Sequence, residues 1–221
     1  NKNGTITCEF PSLLNLIKYN QFDTIYQEHY YYYSLHSITE IFKEHNLFIY
    51  DVEKLETHGG SYRIYVCHKD YISKESKSYN DILKEEKNAR LDILETYNNF
   101  QSVPNKIKEE FIQCLNKIKS NNQTIIAYGA AAKGNTFLNY CGIKNDSIDY
   151  VCDKSHHKQG MYLPGSQIPI LDPSEIKKTK PDYVLILPWN IKNEIMSELS
   201  YIKQWNGSFI TAIPKLEFTR I

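Results

Sequence analysis

No stretch of this chain approaches the ~20 consecutive apolar residues that a helical membrane span needs, so no membrane association is expected. An excess of either charge is missing too, since 26 basic residues stand against 26 acidic ones. Without a net field there is no general attraction to nucleic acid or anionic lipid. No CxxC pair occurs, and Cys8, Cys67, Cys114, Cys141 and Cys152 are odd in number and far apart. That argues against a disulfide framework or a zinc site. It favours buried thiols in a reducing compartment, hence a cytoplasmic location. Neither GxGxxG nor GxxxxGK[ST] is present, which removes the two strongest nucleotide-binding signatures. What the chain has in quantity is tyrosine: 18, with four in a row at positions 30–33. Its 221 residues can bury a sizeable core in one or two domains.

The stretch 124–157 organises the rest. Residues 124–128 are a short apolar strand, Gly129 permits a turn where a side chain would clash, and Ala130, Ala131 and Ala132 keep a helix entry small. Lys133, Gly134, Asn135 and Thr136 then set a cation and polar groups beside helix N–H groups, a combination that favours anions. A second strand follows at 148–152, and Asp153 stands at the ~20-residue distance expected of a ribose-binding carboxylate. Two readings stand: a phosphate or nucleotide site, and a purely structural close turn of strand onto helix.

Before this stretch, residues 4–10 read as a strand closed by Pro11, and 13–17 as a short helix. The loop QFDTIYQEH puts Asp23, Tyr26, Glu28 and His29 within seven residues. A helix starts on Ser34 and ends at Asn46. Strands are expected at 47–52 and 61–66, with His58 between them beside two glycines. Residues 69–122 change to a Lys, Glu, Asn and Ser-rich composition with helical spacing. Ile82, Ala89, Ile93 and Tyr97 mark one helix, and Pro104 interrupts it and opens the next. Beyond 122, strands at 124–128, 148–152, 183–187 and 208–212 imply a parallel sheet whose exits carry Asp153, Asn190 and Pro214. The expected fold is therefore α/β. It comprises a partial sheet over 1–68, a helical linker over 69–122 and a Rossmann-like parallel-sheet domain over 123–221.

His29 has the chemistry of a general base, because imidazole exchanges protons near neutrality; its other reading is a structural histidine. Glu28 can hold its tautomer or bind substrate, and Tyr26 can donate to an oxygen that gains charge. His58 is either a substrate contact or a turn residue. His156 and His157 lie near Cys152, but no fourth ligand stands at a recognised spacing, so no metal is expected and anion contact or plain exposure remain. The tyrosine run either faces a base or sugar or forms a half-buried aromatic strand.

QFDTIYQEHYYYYS, THGGSYRIYV, AYGAAAKGNTFLNYCGI, IDYVCDKSHHKQGMYLPGSQIPI, PDYVLILPWN and FITAIP together resemble the S-adenosylmethionine-dependent sugar C-methyltransferases, which make branched deoxysugars. The resemblance covers nearly the whole chain in one order. By that likeness, residues 1–68 are the later part of a class I methyltransferase domain and the last hundred residues its Rossmann-like C-terminal domain. S-adenosylmethionine would be the methyl donor, bound by a half expected upstream of residue 1 or supplied by a separate chain. The substrate would be a nucleotide-diphosphate keto-sugar held between the two domains. The family's Tyr-x-Glu-His segment falls on Tyr26, Glu28 and His29. His29 would then take a proton from the carbon beside the ketone, with Tyr26 and Glu28 binding or polarising the sugar. Lys133, Asn135, His157, Lys158 and His58 are the candidates for diphosphate or sugar contacts. Two other functions compete: a sugar-nucleotide-binding or assembly module without catalysis, and, more remotely, an NAD-dependent oxidoreductase using Gly129, Gly134 and Asp153.

Overall fold

The computed structural model describes residues 4–71 and 74–220. The chain divides into two compact units, residues up to 21 together with 29–101, and residues 22–28 together with 102 onward. Among the described residues no helix is long and apolar enough to cross a membrane.

The first unit is built on three antiparallel strands, β1 (Ile6–Pro11), β2 (Leu47–Leu55) and β3 (Ser61–His68), in the order β1-β3-β2. Phe10 lies opposite Tyr62 and Val52 opposite Ile64, with a bulge between Ile49 and Asp51. Side chains alternate across β3, so Tyr62, Ile64 and Val66 are buried while Arg63 turns to the open face and pairs with Glu9 and Glu53. The buried face receives α2 (Leu35–Glu44) and α3 (Lys77–Asn88) through Leu35, Ile38, Tyr79 and Ile82. Two shorter helices, α1 (Leu13–Lys18) and α4 (Leu94–Phe100), complete the unit.

The start of α2 is fully satisfied. Ser34 and Ser37 form a capping box, and both carboxylate oxygens of Glu86, on α3, accept from the N–H groups of Leu35 (2.7 Å) and His36 (3.0 Å).

The single helix expected across 82–97 is two. Arg90 adopts φ +57, and the Leu91 N–H turns back to the Glu86 carbonyl, which closes α3 before α4 begins. Pro104 does not interrupt a helix. It sits in the first turn of α5 (Ser102–Ser120), where a missing N–H costs nothing.

In the second unit α5 precedes β4 (Ile125–Tyr128), α6 (Ala132–Cys141), β5 (Val151–Cys152) and β6 (Ile170–Leu171). Then come α7 (Glu175–Thr179), β7 (Tyr183–Ile186), α8 (Lys192–Glu198), β8 (Ser208–Thr211) and β9 (Glu217–Thr219). The fold is mixed α/β with a mostly parallel six-stranded sheet, in the order β6-β5-β4-β7-β8-β9. Only β9 runs antiparallel, against β8. β4 is buried along its whole length, as expected of a central parallel strand. The Phe22–Thr24 turn belongs to this unit: the Phe22 ring lies 5.1 Å from Tyr140 and 6.2 Å from Phe137, both on α6.

That strand order has a topological switch at β4. The chain moves to one side of β4 for β5 and β6, then returns to lay β7 on the other. The connections leaving β4 and β7 diverge, and a crevice opens beyond their carboxyl ends, where ligands of open α/β sheets bind.

Candidate functional site

The crevice is shaped first by two glycines. Gly129 ends β4 at φ +91, and a Cβ there would lie 2.5 Å from the Pro188 ring. Gly134 lets α6 press on β7's exit, because a Cβ there would stand 2.6 Å from the Leu187 Cβ. The turn between them is braced from β5. Asp153 accepts from the Ala130 N–H at 2.7 Å with one oxygen and from the Ser155 N–H at 2.8 Å with the other. Lys158 donates to the Ala130 carbonyl at 2.8 Å and stands 3.6 Å from Asp153. The carboxylate placed by sequence as a ribose contact is thus committed to the backbone of its own crevice.

The N-terminus of α6 opens on Ala131, and no side chain caps it. Its first turn borders a cavity of about 220 Å³, lined by Tyr26 and Gln27, residues 130–132, Asn135 and Leu163 with Pro164. The wall at 163–165 is tied to α6 by Asn139, which donates to the Pro164 carbonyl, and by Lys144, which donates to the Gly165 carbonyl. The Oδ1 of Asn135 is buried with no hydrogen-bond partner. A larger hollow of about 470 Å³ lies near the amino ends of β4 and β7, beside Gln123 and Tyr183. It sits at the wrong end of the strands for such folds, and burial pushes up the Cys114 thiol on its wall.

A second cluster stands at the exit of β7. The Asp23 carboxyl, 1 % exposed, accepts from the Trp189 indole N–H at 2.7 Å. The Lys133 ammonium lies 4.6 Å from the centre of the Trp189 ring and donates to Asn190 Oδ1 at 2.5 Å. Burial pushes the Asp23 carboxyl up to about 6, against the opposing pull of Trp189 and Lys133. Burial also lowers Lys133, and the nearby Asp23 charge partly restores it.

The residues singled out by sequence are therefore distributed as follows. Tyr26 and Asn135 share one cavity. Lys133 leaves the first turn of α6 toward Trp189 and Asn190, and Lys158 is spent on Ala130. His157 is exposed in the turn after β5, and Glu28 is exposed at the end of the 22–28 segment. His29 falls in the first unit, half-buried, its ring 6.2 Å from that of Tyr32. His58 is in the first unit as well, exposed in the Thr57–Gly59 turn at φ +56. Asp23 and Trp189 were assigned no role from sequence. The available signal was a lone acid following phenylalanine in QFDTIY, and nothing in it names a tryptophan 166 residues away.

Chemically, an uncapped helix start beside a phenol can receive an anion or an oxygen that gains charge. Among the described residues no group of His, Cys, Asp and Glu side chains is placed to hold a metal ion. A family described as the C-methyltransferase C-terminal domain matches residues 56–214. The C-methyltransferase NovU of Streptomyces niveus is 32% identical over 212 residues, covering 96% of this chain and 50% of that protein. The chain thus spans about half the length of the curated relative it matches.

Proposed function

The chain belongs to the C-methyltransferase family, and from that premise we propose that it is part of an S-adenosylmethionine-dependent sugar C-methyltransferase. Its substrate is a nucleotide-diphosphate keto-deoxysugar, methylated on the carbon next to the ketone. The observation that carries this reading is the cavity at the start of α6. There Tyr26, from the Tyr-x-Glu-His segment, meets the uncapped helix N-terminus and the unsatisfied Asn135 Oδ1.

Carbon becomes a nucleophile only when a neighbouring carbonyl absorbs the charge, so the reaction needs a base and an oxygen-facing donor. His29 takes the proton from the carbon beside the ketone. Tyr26 donates to the ketone oxygen as it becomes an enolate, and Glu28 binds or orients the sugar. The first turn of α6, with Asn135 and the Lys133 charge behind it, receives the diphosphate or the sugar hydroxyls. Lys158 acts through the Ala130 carbonyl it holds, while His157 and His58 are exposed contacts for the outer parts of the substrate. S-adenosylmethionine supplies an electrophilic methyl group. In the crevice of the six-stranded unit each Asp153 oxygen already accepts a backbone N–H, so this carboxylate is given a bracing role and is not assigned to the donor's ribose. No step is assigned to this chain's residues on it.

Calorimetric titration with a nucleotide-diphosphate sugar, with and without S-adenosylmethionine, tests the substrate assignment. Binding of the sugar nucleotide that weakens in Asn135→Ala supports it, and no binding overturns it. Methyl incorporation in the complete enzyme tests the base. His29→Ala is expected to lower turnover ~100-fold or more, and wild-type turnover in that variant would remove His29 from the mechanism. Sugar-nucleotide binding in an assembled enzyme that never incorporates methyl would instead favour a non-catalytic binding module.

A further inference from the structure

Asp23 is an unusual acid for its surroundings. It is 1 % exposed, its Oδ2 is bonded to the Trp189 indole N–H, and its Oδ1 is buried without a well-formed hydrogen bond, the backbone N–H groups of Asp23 and Thr24 offsetting part of the burial of the carboxyl. The space beside it, about 10 Å³, is otherwise lined by apolar side chains such as Phe137, Leu185, Leu187 and Ile213. Such a gap has room for one water molecule at most and offers it few polar partners. A half-satisfied buried carboxyl is costly wherever it stands. A leucine or an asparagine would fill this position with less penalty.

The same indole carries a second load. Lys133 lies over its face at 4.6 Å, and Asn190, the residue after Trp189, accepts from the Lys133 ammonium at 2.5 Å. The negative face of an indole attracts a cation, and the attraction grows where both are partly removed from water. An anion accepting from the indole N–H pushes electron density toward the ring. Hydrogen-bonded groups in series polarise one another in this way. Asp23 and Lys133 thus attract each other across a tryptophan that touches both.

We infer that Asp23 is a positioning residue, which through the Trp189 indole holds the Lys133 ammonium in place at the first turn of α6. Its importance for substrate rests on the function proposed above; the clamp itself does not. The ionised carboxyl is the tightening form. Its partners come from every element around it. Its own turn offers uncharged Phe22 and Thr24, α6 offers Lys133 and Phe137, β7 and its exit offer Leu185, Leu187 and Trp189, and the segment after β8 offers Ala212 and Ile213. Lys133 is the charged group among them. Burial places the Asp23 transition near 6, within reach of ordinary buffers.

The chain contains two tryptophans, so a ¹⁵N-labelled sample gives two indole signals, assigned with Trp205→Phe. Between pH 5 and 8 the Trp189 signal is expected to move with a single midpoint near 6. The Trp205 signal, whose N–H donates to the Pro181 carbonyl, is expected to stay fixed. The Lys133 ε-methylene protons, over the Trp189 ring, are expected upfield and moving with the same midpoint. Asp23→Asn should abolish both movements. Should that variant fail to fold, Trp189→Phe keeps a ring under Lys133 but removes the N–H, so the Lys133 upfield shift should persist without pH dependence. A Trp189 signal that is flat in the wild type, or one that titrates equally in Asp23→Asn, would overturn the inference, as would a pH-dependent Lys133 shift in Trp189→Phe. Inorganic pyrophosphate then separates the two ideas: no binding by the wild-type chain would count against the anion site at α6, while the indole titration still decides the clamp.

Discussion

Among the described residues each unit buries one acidic side chain, and the two are treated oppositely. In the first, Glu86 lies between α3 and the start of α2, and each oxygen accepts a backbone N–H. In the second, Asp23 has one oxygen bonded to Trp189 and the other without a well-formed hydrogen bond. Burial raises both acids above the ordinary carboxylate range and backbone N–H groups oppose it at each, but only at Glu86 does every oxygen carry a well-formed hydrogen bond. A completed arrangement of this kind serves the fold, since it replaces the water that α2's first N–H groups would otherwise need. An incomplete one costs stability, and the contacts that Asp23 does make run to Trp189 and, across it, to Lys133.

The sharpest way to break the comparison is to delete the completed acid. Glu86→Ala strands the buried Leu35 N–H, takes the partner from the His36 N–H and removes two charge-assisted bonds. A loss of about 3–5 kcal/mol is expected in the first unit. Amide exchange along α2 should accelerate, while exchange along β4 stays as it was. If α2 remained protected, the satisfaction argument for Glu86 would be wrong.

Asp23 should respond with the opposite sign, and with pH. Its folded value of about 6 lies above the ordinary 3.8, so the folded chain holds this proton more tightly than the unfolded one. The stabilisation is complete below about 3.8 and lost as pH rises through about 6, to an extent on the order of 3 kcal/mol. Asp23→Asn has no such dependence. Urea melts followed by tryptophan fluorescence should therefore show the variant gaining on the wild type by about that amount between pH 4 and 8. A constant difference across that range would mean that Asp23 is already compensated.

A smaller effect, confined to the second unit, comes from Gly134→Ala. The added Cβ would meet Leu187 Cβ at 2.6 Å, and both atoms sit on packed backbone, so α6 must move off β7. Overpacking of this kind costs about 1–3 kcal/mol. The same melts would detect it, and an unchanged midpoint would show that α6 yields freely. Because this glycine sits one residue after Lys133, the clamp should loosen with it.

How much of this was legible beforehand differs between the units for physical reasons. The central parallel strands announce themselves as short apolar runs, and 124–128, 183–187 and 208–212 fall on β4, β7 and β8 nearly residue for residue. β6 and β9 have two and three residues, too short to carry a period, and were missed. The 82–97 helix was misjudged because its apolar spacing continues smoothly through Arg90, whose left-handed backbone leaves no mark on a pattern of hydrophobic residues. At the site, Gly129, Lys133 and Asn135 were visible because glycine and cation beside a helix start are local signals. The bond from Trp189 to Asp23 joins residues 166 apart, and only the folded sheet brings them together. Asp153 carries a role that its spacing did not show: each of its oxygens accepts a nearby backbone N–H and braces the turn.

The smallest effect expected is none, and it decides what the comparison of the two acids is about. Each unit also carries an exposed i,i+3 pair on a helix, Glu40–Lys43 at 2.7 Å in the first and Glu175–Lys178 at 2.6 Å in the second. These contacts are as short as those at Glu86 and Asp23, yet both lysines reach into water, where ordering two long chains offsets most of the attraction and salt screens the rest. Lys43→Ala and Lys178→Ala should leave the thermal midpoint unchanged at both low and high salt. If either variant lost stability comparably to Glu86→Ala, charge itself, wherever placed, would govern this chain. If neither does, the contrast between Glu86 and Asp23 is a contrast in burial and completion. The incomplete acid is then the one that the geometry ties to the Trp189–Lys133 contact at α6.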